Sequence, residues 1–329
     1  MEKGFQTDVV ITWVDGEDPV HRAKRQAWMT GAREDQFDDI AGETRFRQIG
    51  EVALCVASVL RFARFVRRIF IVTDNQDPHL GDFIACNFPD NPVPIEIVDH
   101  TMLFRGYEHF LPVFNSLAIE TMLWRIPGLS EHFIYLNDDV VFLSEVQQDD
   151  FFDSKGRPIC PVTPYLTVFA RALRALKPRR NGHKTFGFKD SMLNAEKELG
   201  YRILFGRMDH TPHALRKSFF EDFFETHPAV MERNIRHKFR HEEQYNPQAL
   251  FYGAMLRKKE GIVVKPGDKL LYIKPKGRKY IEKKLKTAEN TTCKFCCINS
   301  LDTAPQADQA AVFNWLSHRL HINCSSLQK

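Results

Sequence analysis

Phe133-Ile134-Tyr135-Leu136-Asn137-Asp138-Asp139-Val140 is the stretch of sequence that decides the fold. An apolar run rich in β-forming residues delivers one amide and two carboxylates to its carboxyl end. In open α/β sheets, ligands bind just outside the carboxyl ends of the strands. Two carboxylates there suit a divalent cation, or a base beside a metal ligand. The alternative is a strand-to-turn junction, where Asn and Asp are common for backbone reasons alone.

Three further segments repeat the pattern of an apolar run that ends in polar side chains. They are residues 8–15, 66–75 and 92–100, which carry Asp15, Asp74 and Asp99 at or near their ends. An apolar stripe of helical period spans residues 51–65, so strand, helix and strand form a βαβ unit with parallel strands. Parallel strands would bring the three acidic residues to one edge with Asp138, which is the geometry of a nucleotide site in a doubly wound sheet.

Charge and hydropathy narrow the class of protein. Among 329 residues, Lys and Arg number 46 and Asp and Glu number 42, and this net charge of +4 is too small to indicate a nucleic-acid partner. We find no apolar signal region at the amino terminus and no run long enough for a transmembrane helix, so we expect a cytoplasmic protein. The basic segment 265–286 could contact an anionic polymer, or membrane head groups at the inner face of the plasma membrane, although a solvated surface is the commoner explanation.

The seven cysteines are an odd number scattered over a long chain, which argues against a disulfide framework. Cys293, Cys296 and Cys297 form a CxxCC cluster. A zinc site would need a second CxxC or a paired His motif, and both are missing. We therefore favour buried reduced thiols.

Two segments outside the strands offer groups that bind anions. Asn115 or Ser116 could cap a helix that begins within residues 111–120, with Glu120 as capping-box partner, and the N-terminus of that helix could receive an anion. Arg45 and Arg47 alternate with Phe46, so both could point to one side and meet phosphates. Simple capping and a solvated loop are the respective alternatives.

The segment 210–259 is predicted to be helical and is rich in His, Arg and Glu. His213, on a helix that Pro212 would begin, could act as a general acid or base because the unperturbed pKa of His lies near neutrality. A single His is more often structural.

These observations predict an α/β, Rossmann-like nucleotide-binding domain with a helical segment that closes over the strand ends. We divide the chain into an N-terminal part of the catalytic domain with the sheet (5–148), a variable insertion (149–205), a helical and basic C-terminal part of the same domain (206–305) and a C-terminal helix or tail (306–329). We expect the last helix to pack on the domain, rather than mediate self-association or touch a membrane.

The motif Val10-Ile11-Thr12-Trp13-Val14-Asp15-Gly16-Glu17-Asp18-Pro19 resembles the first signature of the Stealth family of sugar-1-phosphate transferases. That family includes bacterial capsular polysaccharide phosphotransferases and the catalytic subunit of the lysosomal-enzyme N-acetylglucosamine-1-phosphotransferase. Residues 45–142 resemble the second signature, residues 210–255 the third and residues 293–302, more weakly, the fourth. Together these matches cover most of the chain.

The resemblance implies a GT-A-like sheet and transfer of a hexose- or N-acetylhexosamine-1-phosphate from a UDP-sugar to a glycan hydroxyl. UMP would leave and a phosphodiester would remain, in the synthesis of capsular polysaccharide or exopolysaccharide. The implied partners are the UDP-sugar donor and a polysaccharide or oligosaccharide acceptor, with peripheral association at the membrane or with capsule assembly left open. Attack occurs at phosphorus, so the reaction needs positioning, charge neutralisation and deprotonation of the acceptor.

The resemblance also implies roles for individual residues. Asp138 or Asp139 would be the base or a ligand of Mg²⁺ (or Mn²⁺), with Asn137 in support. Arg240 would contact the β-phosphate, and His213 would transfer a proton or contact phosphate. The other implied substrate-binding residues are Trp13, Asp15, Thr73 and Asp74 for the nucleotide, Arg45, Arg47 and Asn115 for the pyrophosphate or sugar, and His241.

The fourth region departs from the family, because it lacks the acidic turn that usually follows Asn. Only Asn299 and Asp302 remain there as candidate ligands. Two rival functions are a metal-dependent glycosyltransferase of the same GT-A type, whose acidic metal motif Asn137-Asp138-Asp139 resembles, and a non-catalytic protein that binds a nucleotide sugar or glycan. The nature of the product linkage separates the first rival, and release of UMP separates the second.

Overall fold

The computed structural model describes residues 4–29, 49–169, 172, 176, 186–200, 204–265, 270–289 and 292–323. The strands are β1 (Thr7–Thr12), β2 (Val66–Thr73), β3 (Ile95–Asp99), β4 (His132–Asn137), β5 (Val140–Phe142), β6 (Ile159–Pro161), β7 (Thr163–Leu166), β8 (Leu204–Arg207), β9 (His213–Arg216), β10 (Ile262–Val264), β11 (Leu270–Ile273) and β12 (Phe295–Ile298). The α-helices are α1 (Pro19–Met29), α2 (Glu51–Phe62), α3 (Gly81–Asn87), α4 (His100–Leu103), α5 (Ser116–Met122), α6 (Phe188–Glu198), α7 (Lys217–Thr226), α8 (Pro228–Ile235), α9 (Pro247–Lys258), α10 (Arg278–Glu289) and α11 (Gln306–Leu320).

Five strands form the central sheet, in the order β3-β2-β1-β4-β9. β1 to β4 run parallel, as the sequence predicts, and β9 runs antiparallel to β4. β1 and β4 are buried along nearly their whole length, which is why they read as continuous apolar runs rather than alternating ones. The carboxyl ends of four strands therefore meet at one edge.

Both faces of this sheet are covered by apolar side chains. Val9 and Ile11 belong to one core, which they share with α2 and α11. Val10 belongs to the other core, which it shares with α5, α7 and α9. The alternation follows from the two-residue period of a strand. On this second face, α7 and α9 come from the segment that the sequence assigned to a closing helical part, whereas α5 comes from the N-terminal part.

A second sheet, in the order β11-β12-β5, lies beside the turn that follows β4. β5 begins at Val140, directly after Asp139, and Val140 pairs with Cys297 of β12. The backbone N–H of Ile298 donates to the carbonyl oxygen of Asp139 over 2.8 Å. The acidic turn is thus held between β4 and a strand from the far end of the chain. The remaining strands form two pairs, β6 with β10 and β7 with β8.

The prediction of a helix at His213 is wrong. His213–Arg216 is a strand, β9, which pairs with β4 from Tyr135 to His132. The open edge of β4 offers backbone partners that outweigh local helical preference, and a single sequence does not display such an edge. The helices α7, α8 and α9 follow within the segment that was predicted to be helical.

The prediction of a cap at Asn115 is confirmed, because its side chain accepts the N–H of Ala118 at the start of α5. The prediction that Glu120 completes a capping box is wrong. Glu120 lies beyond the third position of α5, and its carboxylate accepts from the hydroxyl of Tyr135 and the amide of Gln248.

The last helix packs on the domain, as predicted. Val312, Leu316 and Leu320 of α11 are completely buried in the core that contains α2. Across the parts of the chain that the structure describes, none of the helices combines the length and the apolarity needed to cross a membrane.

Candidate active site

A cavity of about 450 Å³ lies at the carboxyl edge of the central sheet. Side chains from distant parts of the sequence line it, and most of them are polar or aromatic. The polar and aromatic lining residues include Trp13, Glu51, His100, Asn115, Asn137, Asp138, Asp139, Phe188, His210, Arg240, Asn299 and Asp302. Among the residues proposed from sequence, the structure therefore brings Trp13, Asn115, Asn137, Asp138, Asp139 and Arg240 together.

The strand order fixes the order of these groups along the edge. His100 follows β3, Trp13 follows β1, and the acidic turn Asn137-Asp138-Asp139 follows β4. His210 lies three residues before β9, and an antiparallel strand begins at the edge where its parallel neighbours end. The acidic turn therefore lies between His100 and Trp13 on one side and His210 on the other.

Asp139 is fixed by contacts on both its backbone and its side chain. The thiol of Cys297 donates to Oδ2 over 3.4 Å. Oδ1 is buried and has no hydrogen-bond partner among the described residues. Burial raises the pKa of Asp139, whereas the nearby His210 opposes that change. A buried carboxylate oxygen without a partner is costly, which points to a ligand at this position.

Further carboxylates surround the acidic turn. Burial raises the pKa of Asp138 well above its usual value, and the charges of Asp139 and Glu51 add to this effect. Glu51 begins α2, accepts the N–H of Ile49 over 2.6 Å, and has its pKa raised to about 7, mainly by burial. Asp302 also lines the cavity and interacts electrostatically with Glu51. Carboxylate oxygens are the ligand type that a hard divalent cation such as Mg²⁺ or Mn²⁺ prefers. Among the described residues, the group whose ligand atoms already lie within 4.8 Å of one another is a different one, His237, His241 and Glu243.

Arg240 supplies positive charge to the same cavity. Its guanidinium donates to the hydroxyl of Ser116 over 3.1 Å. Burial lowers the pKa of Arg240, and Glu120 and Tyr135 counteract this. A guanidinium stays charged in proteins and matches the geometry of phosphate oxygens, so Arg240 is placed to bind a phosphate beside the carboxylates.

His210 is a half-buried imidazole next to Asp139. Its ring stacks on Phe188, with the centroids 4.5 Å apart and the planes at 25°. Within the described part of the chain, neither ring nitrogen makes a hydrogen bond. An imidazole with its nitrogens open to the cavity can donate a hydrogen bond to a ligand or accept one from it.

The other end of the cavity carries unpaired polar groups on buried rings. His100 is 2% exposed and Trp13 is 6% exposed. Counting only described residues as partners, both ring nitrogens of His100 and Nε1 of Trp13 are buried without a hydrogen bond. Burial lowers the pKa of His100 to about 4, so the ring is neutral at pH 7. Such groups suit a ligand with fixed donors and acceptors.

The structure does not bring Asp15, Thr73 and Asp74 to the cavity wall. The carboxylate of Asp74 bonds Lys24 over 2.6 Å, the side chain of Asp15 accepts the N–H of Glu17, and Thr73 is completely buried. Asp15 thus serves its own turn, and Asp74 forms an ion pair with α1. Their assignment to nucleotide binding stays a prediction.

His213 lies in the interior, outside the cavity lining. Its ring stacks on Tyr135 with the centroids 6.4 Å apart, and 3.5 Å separates Nδ1 from the hydroxyl of Tyr252. Burial lowers the pKa of His213 to about 3. His213 thus packs against Tyr135 of β4, the strand that leads into the acidic turn. The catalytic role of His213 stays a prediction.

The remaining sequence-based candidates have structural partners or lie elsewhere. Asn115 lines the cavity, but its amide donates to the carbonyl of His237 and its oxygen accepts from Gln244. His241 is exposed, stacks on His237 with centroids 4.0 Å apart, and accepts the N–H of Glu243. Arg45 and Arg47 lie outside the described residues.

Sequence reasoning did not select Glu51, His210 or Phe188. Glu51 carries one usable signal, because an acidic residue that opens an otherwise apolar helix indicates a special environment. The sequence left Asn299 and Asp302 as the two candidate ligands of the fourth region. Both of them line the cavity.

Comparison with known protein families gives two matches. The family model described as "Stealth protein CR1, conserved region 1" matches residues 5–32. The model described as "Stealth protein CR2, conserved region 2" matches residues 45–159.

Several curated relatives are similar over much of the chain. An exopolysaccharide phosphotransferase of Nocardia farcinica is 32% identical over 72% of this chain and 44% of its own length. The exopolysaccharide phosphotransferase CpsY of Mycobacterium tuberculosis is 32% identical over 93% of this chain and 55% of its own length. The receptor polysaccharide phosphotransferase WefC of Streptococcus oralis is 30% identical over 73% of this chain and 75% of its own length. The chain thus spans about half the length of the first two relatives and three quarters of the third.

Among solved structures, apo mouse xyloside xylosyltransferase 1 aligns with 91% of this chain and 100% of its own chain, at 10% identity and a TM-score of 0.43. At that score the likeness supports no statement about fold or activity.

Proposed function

The chain belongs to the Stealth protein family, and we propose that it transfers a sugar-1-phosphate from a UDP-sugar to a hydroxyl of a glycan acceptor, in the synthesis of a capsular polysaccharide or exopolysaccharide. The observation that supports this most directly is the cavity in which carboxylates, Arg240 and His210 converge. The three relatives named above are all polysaccharide phosphotransferases, which supports phosphotransfer as the reaction class and a polysaccharide as the acceptor.

In the proposed reaction, the acceptor oxygen forms a bond with the β-phosphorus of the donor. The bond from that phosphorus to the bridging oxygen breaks, and UMP leaves with the bridging oxygen. The proton of the acceptor hydroxyl passes to the imidazole of His210. This step makes a phosphodiester and needs no change of oxidation state. We place proton transfer on His210 rather than on His213, because His210 lines the cavity with its nitrogens unpaired.

The carboxylates and Arg240 would manage the negative charge of the pyrophosphate. Asp138 and Asp139 would hold Mg²⁺ or Mn²⁺, with Glu51 and Asp302 close by, and the buried unpaired Oδ1 of Asp139 fits such a cation. When bound, a divalent cation neutralises charge on the phosphates and on the leaving UMP. Arg240 would bind the β-phosphate and hold it beside the acceptor oxygen.

The test is an assay of the purified protein with several UDP-sugars, an oligosaccharide acceptor and Mg²⁺. We expect release of UMP and a phosphodiester signal by phosphorus NMR, and we expect Asp139→Asn to abolish turnover while the circular dichroism spectrum stays unchanged. Release of UDP with a plain glycosidic product would instead establish a glycosyltransferase. Binding of UDP-sugars without any release of UMP would establish a binding protein.

A further inference from the structure

Phe188 and His210 form an aromatic pair at one end of the cavity. Phe188 is the first residue of α6, and both rings line the cavity and are half-buried. The following residues of α6 behave differently, since Met192, Leu193 and Ala195 are buried in the core. Phe188 therefore stands where the helix leaves the core and meets the cavity.

The strand register places this pair close to the acidic turn. His213 pairs with Tyr135 across β9 and β4. His210 lies three residues before His213, and Asp138 lies three residues after Tyr135. Because neighbouring strands are about 4.8 Å apart, His210 and Asp138 leave the sheet side by side. The electrostatic influence of His210 on Asp139 agrees with that placement.

The two ends of the cavity differ in chemistry. The β1 and β3 end offers the buried unpaired nitrogens of Trp13 and His100, which suit the fixed hydrogen-bonding groups of a nucleobase or ribose. The β9 end offers the half-buried faces of Phe188 and His210. The carboxylates lie between these two ends.

Phosphoryl transfer adds a geometric constraint, because the attacking and leaving oxygens lie roughly in line through the phosphorus. If UMP leaves toward Trp13 and His100, the acceptor must approach from the opposite side of the acidic turn. That side is the β9 end.

We propose that Phe188 and His210 form the acceptor subsite, in which the ring of Phe188 packs against the apolar C–H face of a pyranose of the acceptor glycan. The hydroxyl of that sugar would then point to His210 and the acidic turn. Aromatic rings offer a large rigid apolar surface at low conformational cost. Phe188 lies in the segment 149–205, which the sequence assigned to a variable insertion. This inference rests on the proposed function.

The experiment compares Phe188→Ala and Phe188→Tyr with the wild type, with acceptor and donor titrated separately. We expect Phe188→Ala to raise the KM for the acceptor about tenfold, which is the effect of losing one aromatic contact together with its buried area. The Kd for the UDP-sugar, measured without acceptor, should change by less than about twofold. Phe188→Tyr keeps the ring and should stay near wild type.

Phe223 supplies a matched control. It stacks on His227 with the centroids 4.6 Å apart and the planes at 16°, and it does not line the cavity. Phe223→Ala therefore removes an equivalent Phe–His stack and should leave the acceptor KM unchanged. Thermal unfolding of all variants would show that each one folds.

Two outcomes would overturn the inference. One is an unchanged acceptor KM in Phe188→Ala. The other is a lower kcat with unchanged KM, which would mean that Phe188 only positions His210. Failure of the proposed function looks different, because the wild type would then make no phosphodiester from any donor.

Discussion

His213 is a histidine held neutral by its surroundings. Tyr135 and Tyr252 flank its ring, and the described residues give it no carboxylate partner. Burial lowers its pKa to about 3, from an ordinary value of 6.5. Below pH 6.5 the unfolded chain binds a proton at this residue, whereas the folded chain does not do so until about pH 3. The stability that depends on a neutral His213 is thus complete above pH 6.5 and is lost as the pH falls toward 3.

This residue therefore predicts a pH-dependent stability difference. Between pH 7 and pH 4, His213 alone should lower the free energy of unfolding by about 3 kcal/mol. His213→Phe keeps an aromatic ring and should lose less stability over that interval than the wild type, as measured by urea unfolding at both values. Carboxyl groups titrate in both proteins and cancel in the difference.

The exposed His79 supplies the control, because His79→Gln should follow the wild type at both pH values. An equal loss of stability in wild type and His213→Phe would show that His213 is not held neutral in the folded protein.

At the scale of elements, β12 determines how the acidic turn is held. Cys296 and Cys297 are both completely buried, but successive side chains of a strand point to opposite faces. Cys297 reaches Asp139, and Cys296 and Cys297 are both free thiols. The CxxCC cluster thus supplies, through Cys297, a hydrogen bond that holds the carboxylate of Asp139.

We predict that Cys297→Ala lowers kcat about fivefold, equivalent to about 1 kcal/mol for one lost hydrogen bond, with little change in the KM for the donor. Cys297→Ser keeps a donor and should restore most of the rate, measured as UMP release at saturating substrate. Cys296→Ala removes an adjacent buried thiol that faces away from Asp139 and should keep the wild-type rate. An equal fall in both alanine variants would indicate general packing instead.

These elements also show what the sequence could predict. β1, β2 and β4 contain continuous apolar runs, and the five-residue β3 carries apolar residues with Glu96 between them and Asp99 at its end. The existence and parallel direction of all four strands follow from these local patterns. β9 and β12 are four residues each, and they become strands because they meet the open edge of β4 or the short β5. That information lies in distant residues, so no local pattern contains it.

The candidate site divides in the same way. Asp138 and Asp139 were predictable because carboxylates at a strand end are a local signal. Asp15 and Asp74 carry the same signal, but Asp15 serves its own turn and Asp74 pairs with Lys24 of α1. His210 reaches the cavity because it precedes β9, whereas His213 is the first residue of that strand and is buried in it. The sequence had predicted a helix from Pro212 at this position.

At the scale of the whole molecule, one core joins the two ends of the sequence. The cluster that contains Val9 also contains Leu316 and Leu320 of α11. The parts divided at the level of sequence, 5–148, 206–305 and 306–329, all contribute to it. The boundaries themselves stay a prediction, but a shared core predicts cooperative unfolding.

We predict a single calorimetric transition for the wild type, with equal calorimetric and van't Hoff enthalpies. Leu316→Ala should destabilise the protein by about 2–5 kcal/mol and move that one transition to lower temperature. Glu145→Gln, an exposed change, should leave the transition in place. A separate early transition in Leu316→Ala, carrying only part of the enthalpy, would contradict a common core.

The strand β12 has a consequence for the order in which a ribosome makes this chain. Protein synthesis delivers β4 and its acidic turn long before Phe295–Ile298. Until then the turn lacks both the thiol of Cys297 and the backbone bond from Ile298. A nascent chain therefore holds its carboxylates without their final support, and the complete site forms only after residue 298 has left the exit tunnel. The proposed activity would therefore require that β12 has already been synthesised.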